Sequence, residues 1–293
     1  MRICAVIVTY NRLDLLKSTI EKLLNQSLKL DEIIIIDNNC TDGTREYLRD
    51  LKEEKITPVF LDENIGGAGG FNKGIKKAYE KGHDYIWIMD DDTFATETAL
   101  ENMINKIEII GEDKIGFLCS NVLFKDNKAC VMNVPTVKPV WNDYITDGLV
   151  RVKNASFVSM LFSRKIVKEF GLPIKDFFIW GDDTEYTLRI SEKYECYMCI
   201  DSIVHHYMKS NVGVDIINGD TDRVGRYFFE YRNKFYMNKK RGFRGVIFHT
   251  KYTVKSILQI LLKSKEGKGK KVKVVLKGYF SGITFNPRIE HVK

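Results

Sequence analysis

The order of apolar and polar positions along the chain predicts alternating strands and helices. Residues 3–8 form an uninterrupted apolar run, which reads as a strand buried on both faces. After Thr9-Tyr10-Asn11-Arg12, Leu13, Leu16, Ile20, Leu23 and Leu24 recur at helical spacing. The plan then repeats. Residues 32–37 run through four isoleucines to Asp37, and the polar, turn-rich stretch 38–43 precedes a helix ending near Leu51. A third strand over residues 57–61 leads into Asn64-Ile65-Gly66-Gly67-Ala68-Gly69-Gly70, read as a glycine-rich loop ahead of a helix over about residues 72–81. Tyr85-Ile86-Trp87-Ile88-Met89 is the fourth strand, and it stops at Asp90-Asp91-Asp92. This alternation predicts an α/β fold, a mostly parallel sheet covered by helices on both faces.

Residues 96–110 continue with an amphipathic helix whose apolar face is Leu100, Met103, Ile104, Ile107 and Ile110. After residues 115–120 the regular pattern gives out. Strand-like runs at 129–134, 149–152 and 156–162 lie among polar loops, so a mixed half follows the α/β half, and its loops would line an acceptor site.

Three adjacent carboxylates repel one another unless a cation sits among them. Mg²⁺ takes one or two carboxylates plus substrate phosphates, so the Asp90–Asp92 cluster suggests a metal held against a phosphorylated ligand. In open α/β sheets ligands bind at the carboxyl ends of strands, where these residues fall. The plainer duty for Asp91 or Asp92 is to cap the following helix. The glycines leave backbone N–H groups unobstructed for a diphosphate, but they lack the spacing of a dinucleotide loop and the Lys-Ser/Thr ending of a P-loop. Asp37 suits either a hydrogen bond to a sugar or base or a turn-holding role.

A second cluster is Phe177-Phe178-Ile179-Trp180-Gly181-Asp182-Asp183-Thr184-Glu185. A glycine turn here opens a helix, so Asp182 and Asp183 stand at its N-terminus. Asp182 suits a cap, and Asp183 is the first choice for a general base that takes a proton from an attacking hydroxyl. His205 and His206 close an apolar strand. Neighbours on a strand point to opposite faces, so only one of them can face a metal.

Composition narrows the class. With 293 residues, 44% of them hydrophobic, and 5 Pro, the chain can bury a core as one large domain plus an appendage. Six irregularly spaced Cys and no charged-then-apolar leader at Met1 predict a reducing cytoplasmic setting. Cys196 and Cys199 form a lone CxxC in an apolar run, which reads as buried thiols and not as a zinc pair. No apolar run reaches the roughly 18 residues of a membrane span. The net charge of +7 is uneven: residues 238–277 hold 13 Lys and Arg against Glu266, residues 278–293 add +1, and the first 237 residues are left at −6. An acidic body with a basic tail points to an anionic contact near the C-terminus, and without a reader motif it argues against nucleic acid.

Taken together, Val8-Thr9-Tyr10-Asn11-Arg12, Asp37-Asn38, the Asn64–Gly70 stretch, Asp90-Asp91-Asp92, Trp180-Gly181-Asp182-Asp183-Thr184-Glu185 and His205-His206 resemble, in order, family 2 inverting glycosyltransferases of the GT-A fold. The look is nearest to the bacterial galactofuranosyl- and rhamnosyltransferase branch, and it extends through Tyr231-Arg232-Asn233, which sets a catalytic domain at residues 1–236 and a basic helical extension at 237–293. The resemblance implies a nucleotide-diphosphate sugar donor, a UDP-sugar before a dTDP-sugar, met by Thr9, Tyr10, Arg12, Asp37, Asn64, Gly66, Gly67 and Asp91. It implies Mn²⁺ or Mg²⁺ on Asp90, Asp92 and His206, with His205 as the fallback. Trp180 and Gly181 would meet the acceptor, a glycan or lipid-linked glycan, and Asp183, with Asp182 beside it, would serve catalysis. The rivals are a sugar-nucleotide nucleotidyltransferase, whose glycine- and arginine-containing loop after the first strand is missing here, and a non-catalytic nucleotide-sugar binding module.

In the extension, Phe243, Val246, Ile247, Val254, Ile257, Leu258 and Leu261 fall within about 120° of a helical wheel, and the polybasic run 263–273 follows. This predicts docking on an anionic membrane surface, with the protein peripheral on its inner face. The alternative is that the stripe packs on the catalytic domain.

Overall fold

The computed structural model describes residues 1–219 and 221–293. Strands β1 (Ile3–Thr9), β2 (Glu32–Asp37), β3 (Ile56–Phe60) and β4 (Tyr85–Asp90) are parallel and lie in the order β3-β2-β1-β4, connected through helices α1 (Leu13–Leu24), α2 (Thr44–Asp50) and α3 (Gly66–Glu80). Their runs are continuous because both faces are covered. Ala5, Ile7, Ile33, Ile35, Trp87 and Met89 share one core with Leu16, Ile20 and Leu23 of α1. The alternate residues Val6, Ile34, Ile36, Ile86 and Ile88 share the other with Phe71, Ile75 and Ala78 of α3.

The mixed half comprises β5 (Thr93–Ala95), α4 (Ala99–Ile110), β6 (Ile115–Phe124), β7 (Leu149–Arg151), β8 (Met160–Ser163), α5 (Arg164–Phe170), α6 (Asp182–Ser191) and β9 (Glu195–His206). The sheet continues β4-β8-β6-β9-β5. β8 is antiparallel to β4 and β6, β9 is parallel to β6, and β5 and β7 both pair antiparallel with β9. Cys196 and Cys199 of β9 enter different cores on opposite faces, so they cannot act as one ligand pair.

Three expectations need correction. The stretch read as a glycine-rich loop is the first turn and a half of α3, and the reason is packing. A Cβ on Gly70 would lie 2.4 Å from Val8 Cγ1, and one on Gly74 2.3 Å from Val6 Cγ1, so these glycines let the helix sit close on β1. The helix placed at residue 96 begins at Ala99 after the short β5, and neither Asp91 nor Asp92 caps it. The strand expected over residues 129–134 is a 3₁₀ turn, because Val131, Met132 and Val134 point to solvent and only Cys130 and Asn133 are buried.

Gly74→Ala should therefore lower unfolding free energy by about 1–3 kcal/mol, the usual cost of overpacking a tight contact. A denaturant titration with an unchanged slope checks this.

Beyond the sheet, α7 (Tyr227–Lys239), α8 (Phe243–Lys263) and α9 (Lys268–Thr284) form a helical layer around Val224, Tyr231, Ile260 and Val275. Gly278 and Gly282 of α9 meet α7 closely, where a Cβ would lie 2.6 Å from the Phe228 carbonyl oxygen and 2.5 Å from Phe235 Cβ. The tail returns to both halves: Leu172 N–H, after α5, donates to the Glu290 carbonyl at 2.8 Å, and Lys76 of α3 pairs with the Glu290 carboxylate at 2.8 Å.

The face of α8 that packs inward is not the apolar stripe. Gly245, His249, Thr253, Ser256 and Ile260 are buried, while Phe243, Ile247, Val254, Leu258 and Leu261 are exposed. Packing of the stripe on the catalytic domain is thus excluded for these residues. Among the described residues, no helix is long and apolar enough to cross a membrane.

Candidate active site

The carboxyl end of β4 delivers Asp90, and the turn into β5 delivers Asp91 and Asp92. β5 pairs with the end of β9 so that Thr93 stands opposite His206. This pairing joins residues more than a hundred positions apart into one cluster. Ligand atoms of Asp90, Asp92 and His206 all lie within 4.8 Å of one another. His205 alternates to the other face, where its Nε2 meets Asn127 Oδ1 at 2.8 Å, so the fallback assignment is dropped.

His206 is held for this position. Its Nδ1 lies 2.9 Å from Asn133 Oδ1, which leaves Nε2 to face Asp92 Oδ1 at 3.1 Å. That approach lacks the alignment of a hydrogen bond, and among the described residues Asp92 Oδ1 is a buried oxygen with no hydrogen-bond partner. Two carboxylates, an imidazole steered from its far nitrogen and an unsatisfied buried oxygen fit a divalent cation. Asn133 gives no sign in the sequence, because its value lies in a contact 73 positions away.

Charge in the cluster is balanced by arginine. Arg12 Nη1 sits 2.6 Å from Asp92 Oδ2 and 3.1 Å from Asp91 Oδ1. Thr9 Oγ1 donates to Asp91 Oδ2 at 2.8 Å, and Thr19 Oγ1 to the Asp91 carbonyl at 2.7 Å, which gives Asp91 an anchoring role between β1, α1 and β4. Burial, reinforced by Asp92, pushes the Asp90 carboxyl up to about 6, and burial pushes Asp91 up to about 7 against the pull of Arg12. Asp92 goes the other way: burial opposes ionisation, but His206 and Arg12 outweigh it. Burial alone would lower the His206 pKa, and contact with Asp92 instead raises it to about 10.

The second cluster meets the first. Asp90 feels the charge of Asp183, and Asp182 that of Asp90. Both residues open α6, where burial raises the proton affinity of each. They differ in access. Asp182 is buried, and Gly181, not an aspartate, occupies the N-cap position. Asp183 is half-buried; its Oδ1 accepts from Thr184 N–H at 2.6 Å and Thr184 Oγ1 at 3.2 Å, which leaves Oδ2 the freer oxygen among the described residues.

The loop before these acids is strained and clamped. Phe178, Trp180 and Gly181 have φ of 64°, 64° and 88°. Two of them carry side chains in the left-handed region, which persists only where the surroundings impose it. Asn233 of α7, fully buried, imposes it: its Nδ2 donates to the carbonyls of Phe177, Ile179 and Trp180 at 3.0, 3.2 and 2.8 Å. Arg232 orients Asn233 through Nε at 3.0 Å and also donates to the Phe177 carbonyl. From the other side Ala68 N–H donates to the Phe178 carbonyl at 3.1 Å. Asn233→Ala leaves three carbonyls without their shared donor. It should cost about 1–3 kcal/mol of stability and reduce turnover more than donor affinity, read from a melt and from kcat against KM for donor.

Other expected donor residues lie around this centre. Asn64 Oδ1 accepts from Gly66 N–H at 2.9 Å, and Asn38 holds Ile65 N–H and the Gly66 carbonyl at 2.9 and 3.0 Å. With Ile65, Gly66 and Ala68 so engaged, Gly67 is the open position at the start of α3. Tyr10 is exposed beyond the end of β1. Asp37 takes the turn-holding duty: it has no exposed surface, and it accepts from Cys40 N–H at 2.8 Å and pairs with Arg45 at 2.5 Å. Trp180 packs on Tyr227 with ring centroids 5.3 Å apart.

Residues 4–125, which contain β1 to β6 and the aspartate cluster, match the family described as Glycosyl transferase family 2. The match spans 122 of the 293 residues, the stretch that carries the aspartate cluster. The match favours a glycosyltransferase over the nucleotidyltransferase alternative. Similarity to curated family relatives runs further: Galactofuranosyltransferase GlfT1 of Mycolicibacterium smegmatis is 26% identical over 261 residues, covering 84% of this chain and 85% of the relative. The UDP-Glc:alpha-D-GlcNAc-diphosphoundecaprenol beta-1,3-glucosyltransferase WfaP of Escherichia coli is 28% identical over 178 residues, covering 60% of this chain and 67% of the relative. Among solved structures, GalNAc-T7 with UDP, GalNAc and Mn²⁺ superposes with a TM-score of 0.61 at 13% identity, over 87% of this chain and 55% of that one. TarS of S. aureus gives 0.53 at 13% identity, over 97% of this chain and 44% of that one. This chain thus spans about half the length of those two structures, which share its GT-A fold.

Proposed function

We propose that the protein is an inverting, metal-dependent glycosyltransferase. It moves a sugar, galactofuranose first and galactose or rhamnose after it, from a nucleotide-diphosphate donor to a hydroxyl of a glycan or lipid-linked glycan in cell-surface polysaccharide synthesis. What supports this reading most is the grouping of Asp90, Asp92 and His206 at the carboxyl end of β4, with Asp183 near enough for its charge to act on Asp90. The similarity to a galactofuranosyltransferase supports the sugar, and the UDP donor named for the glucosyltransferase relative supports UDP over dTDP.

Asp90, Asp92 and His206 are the residues that would hold the cation. An imidazole beside two carboxylates favours Mn²⁺ over Mg²⁺. When bound, a divalent ion there neutralises the charge that grows on the departing diphosphate. Thr9 and Arg12 at the end of β1 and Asn64 and Gly67 at the start of α3 flank the donor, Arg12 adding positive charge beside the phosphates. Asp183 Oδ2 takes the proton of the acceptor hydroxyl as its oxygen attacks the anomeric carbon from the side opposite the leaving group, through an oxocarbenium-like transition state. A single displacement inverts the configuration. The Asn233 clamp holds the Trp180–Gly181 backbone so that the acceptor and the base share one register. We place the catalytic domain at residues 1–236 and the work at the inner face of a membrane, where a lipid-linked acceptor is within reach.

Incubation with UDP-galactofuranose, Mn²⁺ and a lipid-linked glycan acceptor, followed by NMR of the new linkage, tests the reaction. Transfer with inverted anomeric configuration is expected. Retention, or no transfer from this donor, UDP-galactose or dTDP-rhamnose, would overturn the proposal.

A further inference from the structure

The helical layer presents an apolar surface that none of the described residues covers. Along α8, Phe243, Ile247, Val254, Leu258, Leu261 and Leu262 are exposed, the first and last at 79% and 80%. Along α9, Leu276, Phe280 and Ile283 are exposed as well. A monomer rarely leaves so many large apolar side chains on neighbouring helices without a partner.

The charge beside them identifies the partner. With Phe243 as origin and about 100° per residue, Phe243, Ile247, Val254, Leu258 and Leu261 lie at roughly 0–60° and Arg244, Lys251 and Lys255 at roughly 80–120°. The buried residues of α8, Gly245 to Ile260, lie at roughly 200–280°, the far side. The outward face is therefore an apolar ridge with a basic flank. On α9 the exposed Lys273 and Lys277 stand beside Leu276 and Phe280 in the same way. Long basic side chains next to an apolar ridge suit an interface whose interior is apolar and whose rim is anionic. A second copy of this chain fits poorly, because pairing these faces brings together two segments that each carry 13 Lys and Arg against one acid over residues 238–277.

We propose that the outward faces of α8 and α9 dock the protein on an anionic lipid bilayer, with the apolar ridge among the acyl chains and the lysines at the phosphate level. This rests on the reading of a lipid-linked acceptor and names the surface that brings the enzyme to it.

Flotation of the full chain with phosphatidylcholine vesicles, with and without phosphatidylglycerol, tests it. Binding is expected only with phosphatidylglycerol. A Leu258→Ser, Leu262→Ser, Phe280→Ser variant, altered only at exposed sites, should bind at least ~10-fold less. Arg244→Gln, Lys251→Gln, Lys255→Gln should lose roughly 5-fold per charge removed. Light scattering and the melting midpoint with UDP and Mn²⁺ are recorded for every variant. No vesicle binding, equal binding to neutral vesicles, or a dimer that the serine variant abolishes would overturn the proposal. Anionic binding without any nucleotide stabilisation would uphold the docking face and sink the transferase reading instead.

Discussion

Asp183→Asn is expected to reduce turnover by about 10²–10⁴-fold, the usual contribution of a positioned general base, while donor binding stays at the wild-type level. The side chain keeps its shape and its Oδ1 can still accept from Thr184, but an amide cannot take the acceptor proton. Stability should hold or rise. Burial raises the Asp183 pKa, so the folded state disfavours the charged carboxylate, and a neutral isostere removes that penalty. Lost activity with an unchanged melt therefore reports chemistry and not unfolding. Asp182→Asn should do less, because Asp182 is buried beside the base and not exposed to an acceptor. Single-turnover rates for both variants, with donor affinity measured separately, check the assignment.

Asp92→Asn is expected to abolish the metal-dependent part of donor binding. It removes a charged ligand and more than the roughly 10–100-fold in metal affinity that an outer-shell partner contributes. Asn133→Ala, which frees the far nitrogen of His206, should fall inside that outer-shell range. The pH dependence has a defined sign. Asp90 must lose a proton held up to about 6, and His206 one held up to about 10 by Asp92, before either can bind metal. Metal affinity should therefore rise with pH. Between pH 7 and 9 one proton is displaced per ion, a slope of about tenfold per unit. Calorimetry in buffers of different ionisation enthalpy counts that proton directly. A flat profile would mean that His206 is not a ligand.

The α/β half was legible in the sequence because its strands are continuous apolar runs, and a run such as Ile33–Ile36 can be stable only between two covered faces. The aspartates were legible because three like charges at a strand end need an explanation. What the sequence concealed depends on which distant residue becomes a neighbour. Gly70 and Gly74 look like a flexible loop until Val8 and Val6 are seen pressed against them. Asp37 looks available to a ligand until Arg45 and Cys40 are seen to occupy it. Asn133 and Asn233 carry no local signature, and they act on His206 and on the 177–180 loop across 73 and about 55 positions. The stripe on α8 was read correctly as apolar. Its direction was open, because the layer buries small and polar residues, Gly245, Thr253 and Ser256, and leaves the large ones outside.

The most direct test of the central claim, a nucleotide-diphosphate site built on a metal, is the melting midpoint of the wild-type chain with UDP, dTDP and GDP, each with and without Mn²⁺. A ligand at 100 times its dissociation constant adds about 2.7 kcal/mol, well within reach of a melt. Stabilisation by UDP that appears only with Mn²⁺, and disappears in Asp92→Asn, is the result expected. No metal-dependent shift with any of the three nucleotides at millimolar concentration would contradict it.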